Sequence, residues 1–486
     1  MPEAEEEDAG FELVSEEDYP SNETSSPESS IDPTDPEVQA RLAVDALYAR
    51  QSRTLSQAIA RYTLHTNHAP PPHYDLWFDF AQEKKCLIDE YDRIHRDFKP
   101  FYQLAERDPG FFQAMIDRAA SRLENSSSEI SVVDVREGRA ELNGDTSYSS
   151  AWPETFSKFS HILPDMRFLI NGRDEPRVAF NFRSPKALEN AFTVKDADPF
   201  NIAPRPTAEF FRAQSGCDIP TEATGFMQSV NEEHSFLIST AKPGFTTDLY
   251  PMMSMTKVSP CFADILFPTE YYYETSWWSG KFAFEDNIPW EDKKPQLYWR
   301  GMSNGGMIVG SNYHHFMRFK LRTLARDHPD LMDVSISRFA ETLCEDECDR
   351  AQVWADYNIT ESPEPREDMY KFRYAMDADG TTFSGRFLLL LKSGSLVFKA
   401  TLFEEYFNDW LRPFEHYVPV KPDLSDLVER IRWANENPEE ARLIQLRGME
   451  VAKRVMTDEQ NDCYFAAVLL EWAGLQRYGM PPAAME

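Results

Sequence analysis

The 486-residue sequence predicts an α/β protein. Two observations lead to that class. From Leu297 onward strand-like runs, glycine turns and amphipathic helical stretches alternate, which argues for a mainly parallel sheet. Upstream, Phe168-Leu169-Ile170-Asn171 reads as a buried strand that delivers the polar stretch Gly172-Arg173-Asp174-Glu175-Pro176 at its C-terminal end. With 42% hydrophobic and 13% aromatic residues, the chain has enough apolar material for two or three domains.

Residues 1–36, rich in Glu, Ser, Pro and Asp, lack an apolar pattern and are expected to form a disordered acidic tail, because they bury too little to offset ordering entropy. Residues 37–295 are assigned to an N-terminal helical and α/β domain. A helix is expected from Glu37 to His65, stopped by Ala69-Pro70-Pro71-Pro72, and a helix pair runs to Leu104. A strand or hairpin is expected around Ile130 to Val135. The aromatic cluster of Tyr271-Tyr272-Tyr273 and Trp277-Trp278 is either packed core or a sugar-stacking platform. Residues 296–450 form the second α/β domain, and residues 451–486 a C-terminal helix packing back, followed by a tail.

Net charge is −32, and the 14 acidic and no basic residues of Met1–Glu37 leave the other 449 residues at −18. Such a balance excludes nucleic acid as a partner, since phosphate backbones need a concentrated basic face. Six cysteines are too few for a disulfide-built scaffold. Cys344 and Cys348 lie four apart without a neighbouring His, and are read as ordinary thiols rather than a metal site. No apolar stretch approaches the ~18 residues of a membrane span, and the acidic start is unlike a signal peptide.

Two segments point to anion chemistry. Leu297-Tyr298-Trp299 leads into Arg300-Gly301-Met302-Ser303-Asn304-Gly305-Gly306, with a helix beginning near Tyr313. Strand, glycine loop and helix make a phosphate cradle, or a plain connecting loop. Further on, Asp377-Ala378-Asp379-Gly380 precedes Ser384-Gly385-Arg386 and a buried helix, Phe387–Leu391, closed by Gly394 in the left-handed region. A cation at a helix start is costly unless an anion such as a pyrophosphate shares the site, or a salt bridge holds it. Asp377 and Asp379 also form a DxD, a pattern that holds Mn²⁺ in metal-dependent transferases. A helix Phe403–Leu411, flanked by Glu404, Glu405, Asp409 and His416, could offer a carboxylate to sugar hydroxyls. Asp423-Leu424-Ser425-Asp426 and Asn437-Pro438 each open a helix.

Taken together, these motifs resemble glycosyltransferase family 90, the capsule-associated and protein O-glucosyltransferase group, and look most like its fungal branch. The resemblance covers roughly Pro70 to Trp472. It rests on Pro70-Pro71-Pro72-His73-Tyr74-Asp75-Leu76-Trp77-Phe78, Leu163-Pro164-Asp165, Arg173-Asp174-Glu175-Pro176, Trp299-Arg300-Gly301, Asp379-Gly380 with Ser384-Gly385-Arg386, Gly394-Ser395-Leu396-Val397-Phe398 and His416-Tyr417-Val418-Pro419-Val420. It implies a GT-B arrangement of two facing Rossmann-like α/β domains and inverting transfer of glucose or xylose from a UDP-sugar to a hydroxyl of a glycan or protein. No metal and no cofactor are expected beyond the donor substrate.

By the resemblance, Asp174 is the general base. Arg300, Gly301, Ser303, Gly305, Gly306, Arg318, Asp379, Gly380, Ser384, Gly385, Arg386 and Glu405 bind the donor. Arg318 is nominated as second phosphate cation because the loop lacks the nearby basic residue of animal members. The resemblance implies the secretory lumen, Golgi or ER, although family enzymes commonly carry a signal or anchor that this sequence does not display. Two competing readings are a metal-dependent transferase using Asp377 and Asp379, and a catalytically inactive carbohydrate-binding or scaffolding paralogue.

Overall fold

A computed structural model describes residues 32, 34–123, 129–144, 146, 149–191, 246, 248–259, 261–274, 285–306, 308, 310–344, 348–359, 361 and 364–478. Residues 1–31 and 33 of the acidic tail and Trp277-Trp278 lie outside them.

The architecture is α/β, built on two five-stranded sheets. Strands β1 (Ile130–Arg136), β2 (Arg139–Asn143), β3 (Met166–Asn171), β4 (Met253–Ser254) and β5 (Ile265–Leu266) form a mixed sheet in the order β2-β1-β3-β4-β5. The β1–β2 and β1–β3 pairs are antiparallel and the last two pairs parallel. The expected strand at 168–171 is β3, and the expected hairpin is β1–β2.

The second sheet comprises β6 (Lys294–Met302), β7 (Met332–Arg338), β8 (Phe372–Ala378), β9 (Leu396–Ala400) and β10 (Val418–Val420). All its pairs are parallel, in the order β7-β6-β8-β9-β10. Strand β9 is buried at every position and β8 at all but one. That pattern is what a parallel sheet covered on both faces requires. The chain leaves β6 for β7 on one side and then returns past β6 to β8 on the other. This reversal creates a switch point between β6 and β8, the place where open parallel sheets bind ligands beyond their strand C-termini.

Helices wrap the mixed sheet from both ends of the chain. The apolar helix Asp458–Gln476, capped by Thr457, packs on helices Tyr74–Glu83, Asp92–Ala105 and Phe111–Leu123 and on β3. A disulfide between Cys86 and Cys463 ties the same two regions. Among the described residues no helix is long and apolar enough to cross a membrane.

Several expectations are corrected. The single helix 37–65 is two, Pro36–Ala49 and Leu55–Thr66, because Ser52 is drawn out to hydrogen-bond Asp89 and Thr54 caps a new start. The helix near Tyr313 begins at Met317, after a short 3₁₀ turn. Gly394 is not among the glycines with positive φ; its N–H donates to Asp286, and a Cβ there would lie 2.9 Å from that carboxylate. Phe403–Leu411 is a turn with a 3₁₀ segment Asn408–Trp410, since Glu404 pairs with Lys257 through both backbone groups. Cys344 and Cys348 are joined as a disulfide, with Cα atoms 5.1 Å apart, rather than being thiols. Tyr272 and Tyr273 are buried, so that part of the aromatic cluster is core.

Candidate functional site

The two loops singled out in the sequence meet at the β6/β8 switch point. After β6 come Ser303, Asn304, Gly305 and Gly306; after β8 come Asp379, Gly380 and the turn leading to Arg386. Gly306 has φ of 141°, a conformation side chains resist, and a Cβ on Gly380 would sit 2.7 Å from the Arg318 guanidinium. A Cβ on Gly301 would sit 2.6 Å from the Trp299 ring and one on Gly305 2.9 Å from Phe316, so those two glycines serve packing.

Arg318 lies on the first turn of helix Met317–Asp327 and is 8% exposed. Its guanidinium donates to three carbonyls, those of Asp379 (3.0 Å), Met302 (3.0 Å) and Ala378 (3.5 Å). Half-buried Arg386, the residue capping helix Phe387–Leu391, donates to the Arg300 carbonyl at 2.7 Å. Both guanidinium groups lie near the Trp299 ring, at 5.5 and 5.6 Å from its centroid. Among the described residues neither arginine reaches a carboxylate at ion-pair distance. Burial, then the charge of Arg386, holds Arg318 down to about 9, and burial also lowers Arg386. Among the described residues Asn304 Oδ1, Asp379 Oδ1 and Ser384 Oγ are buried without a hydrogen-bond partner. A 70 Å³ cavity lined by Trp299, Arg300, Glu364, Met376 and Arg386 opens here.

Arg300 is placed differently from its expected role. Its side chain pairs with Asp333 (2.7 Å) and Glu364 (2.8 Å) and stacks 4.5 Å from Tyr298. Its charge is thereby neutralised within the protein, leaving Arg318 and Arg386 as the pair without a direct ion-pair partner among the described residues. Ser303 is likewise engaged, its Oγ accepting the Ala340 N–H at 2.8 Å.

Beside this pair runs an acidic network. Asp377 and Lys399 stand opposite each other across β8 and β9, and their side chains pair at 2.9 Å. Lys399 is also 3.6 Å from Glu405, which accepts a hydrogen bond from Tyr272. Burial raises Glu405 to about 8 and Asp379 to about 7. Asp379 accepts the Leu402 N–H at 2.8 Å. The sequence assigns no role to Lys399, and it singles out Tyr272 only as a member of the aromatic cluster. A lysine inside the apolar run Leu396–Ala400 was the available signal, since a buried ammonium demands a carboxylate.

Asp174 belongs to the other sheet, on the loop after β3. Its charge acts on Glu175, which burial and Asp174 together raise to about 7. Nearby, the Asn171 side chain donates to the Glu175 carbonyl at 2.7 Å and to Ser254 Oγ at 3.1 Å, fixing the start of that loop.

Residues 263–483 match the sequence profile of Glycosyl transferase family 90, a span that contains the whole parallel sheet. That span, under half of the chain, is similar to glycosyl transferase family 90. The chain is similar to rat protein O-glucosyltransferase 3, 31% identical over 191 residues, which is 38% of this chain and 33% of the relative. Zebrafish protein O-glucosyltransferase 2 is 30% identical over 188 residues, 38% and 34% of the two chains. Rat protein O-glucosyltransferase 1 is 26% identical over 260 residues, 49% and 60%. The chain thus spans about a third of the length of the first two and 60% of the third.

Proposed function

We propose that this chain is an inverting glycosyltransferase that moves glucose or xylose from a UDP-sugar to a hydroxyl of a glycan or protein, without a metal, between two lobes arranged in the GT-B manner. The observation that carries the reading is the pair Arg318 and Arg386. Two neighbouring guanidinium groups, one of them 8% exposed, meet at a switch point, and among the described residues neither is ion-paired, Asp377 and Asp379 acting on them only from beyond ion-pair distance. Burying unpaired charge is costly, and a diphosphate offers charge and acceptors to both forks. In this reaction the acceptor hydroxyl attacks the anomeric carbon, its proton passes to Asp174, and the bond to UDP breaks with its electron pair going to the diphosphate.

Lys399 supports metal independence, because its ammonium already occupies the Asp377 side of the DxD. The disulfides Cys86–Cys463 and Cys344–Cys348 support a secretory-lumen location, where oxidising conditions keep such bonds. The decisive experiment measures UDP release from UDP-glucose and UDP-xylose, with and without excess EDTA. Equal turnover in EDTA is expected. Loss of turnover in EDTA restores the Asp377/Asp379 metal reading, and no turnover or binding with any UDP-sugar leaves the inactive paralogue.

A further inference from the structure

A second concave site, sharing no lining residue with the first, lies between the N-terminal helices and helix Asp458–Gln476. This cavity encloses about 360 Å³, within the range of small-molecule pockets. Tyr62, Tyr74, Trp77 and Tyr91 supply aromatic walls, and Leu64, 87% exposed, is also part of the lining. Polar groups alternate with them, and every acid of the lining already has its partner. Asp89 pairs with Arg61 (2.5 Å), Asp92 with His65 (3.2 Å) and Glu471 with His95 (3.4 Å). Glu471, 3% exposed, also accepts hydrogen bonds from Tyr62 and Tyr102. By contrast, the Tyr74 hydroxyl has no hydrogen-bond partner among the described residues.

We infer that this pocket binds a neutral pyranose ring, so that the chain holds a sugar apart from any donor or acceptor sugar at the arginine pair. An anionic ligand would find no free cation, because Arg61 is already paired with Asp89. A purely apolar one would strip water from the Tyr74 hydroxyl and the ion pairs without replacing its hydrogen bonds. A sugar ring answers both halves of the wall, its C–H face against the aromatic rings and its hydroxyls to the polar groups.

The test titrates the full chain with methyl β-D-glucopyranoside, phenol and glucose 6-phosphate, followed by saturation-transfer NMR. Saturable binding of the glucoside alone is expected, in the range of ~1 mM. Tyr74→Phe, which removes only the hydroxyl, should weaken it about tenfold. Ala467→Trp, which fills the cavity from helix Asp458–Gln476, should abolish it, with circular dichroism melting confirming that both variants fold. Arg386→Ala should leave it unchanged. Glucoside binding that survives Ala467→Trp but disappears in Arg386→Ala would move the sugar to the transfer site and overturn this inference while leaving the transfer reading intact. Preferential binding of phenol or of the phosphate, or absence of saturable binding, also overturns it.

Discussion

Arg93 and Arg318 are buried to nearly the same degree, 6% and 8% exposed, yet their guanidinium groups are shifted in opposite directions. Burial pulls Arg93 down, but Asp97, Glu404 and Asp409 more than offset it, so its pKa is raised. Glu404 pairs with it at 2.6 Å, and the adjoining Lys257 pairs with Asp97 at 2.7 Å. This network joins helix Asp92–Ala105 to the loop after β9 and to the turn before β5. Arg318 has carbonyls for partners and another arginine for a neighbour, and is lowered to about 9. A buried cation that the fold itself neutralises is structural, whereas one left to carbonyl dipoles needs something else to complete it.

The comparison breaks or holds on two substitutions. Arg93→Ala takes from Glu404 its 2.6 Å partner, while Asp409 keeps Arg96 at 2.7 Å, and should cost ~3 kcal/mol of stability. Denaturant unfolding reads this loss, and the folded fraction should turn over UDP-sugar at the wild-type rate. Arg386→Ala should show the reverse, with an undiminished melting temperature and UDP-sugar turnover lowered ~10²-fold or more. If Arg386→Ala destabilises the fold as much as Arg93→Ala while sparing turnover, the distinction drawn between the two regions is wrong.

Glu405 sharpens the same contrast through pH. Its carboxyl holds a proton up to about 8 in the folded chain, against 4.5 as a free side chain. Between these values the folded state binds more protons than the unfolded one, so stability falls as pH rises through that window. Lys399, whose pKa is raised, stays charged in both states there and adds no slope of its own. Glu405→Gln imitates the protonated form and should flatten the decline in melting temperature between pH 5 and pH 8 that the wild type shows. A variant as steep as the wild type would mean that Glu405 is ionised throughout.

Much of the parallel sheet was legible because its signals are local. Strand-like runs, Gly380, the Ser384-Gly385-Arg386 turn and the helix opened by Pro438 are read from neighbours in sequence. The partners of those residues were not legible, because they arrive from distant segments. Arg300 is neutralised by Asp333 and Glu364, 33 and 64 positions downstream, as only the β6–β7 register and the loop before β8 decide. Phe403–Leu411 has the composition of an amphipathic helix, but its backbone is claimed by Lys257 from the other sheet's loops. Tertiary pairing overrode propensity there.

The smallest effect is expected at Ser303, where the comparison reduces to one hydroxyl. Its Oγ is fully buried and accepts the Ala340 N–H at 2.8 Å, while its own N–H donates to the Arg338 carbonyl. It therefore sits in the candidate site's loop but is bonded like a structural residue, fastening that loop to the end of β7. Ser303→Ala strands the Ala340 N–H, which costs about 1–3 kcal/mol where no water replaces the acceptor. A lower melting temperature with KM for the UDP-sugar unchanged is the expected result. A KM raised tenfold at constant melting temperature would place the hydroxyl on the phosphate instead, and would show that an internal partner does not exclude a residue from binding.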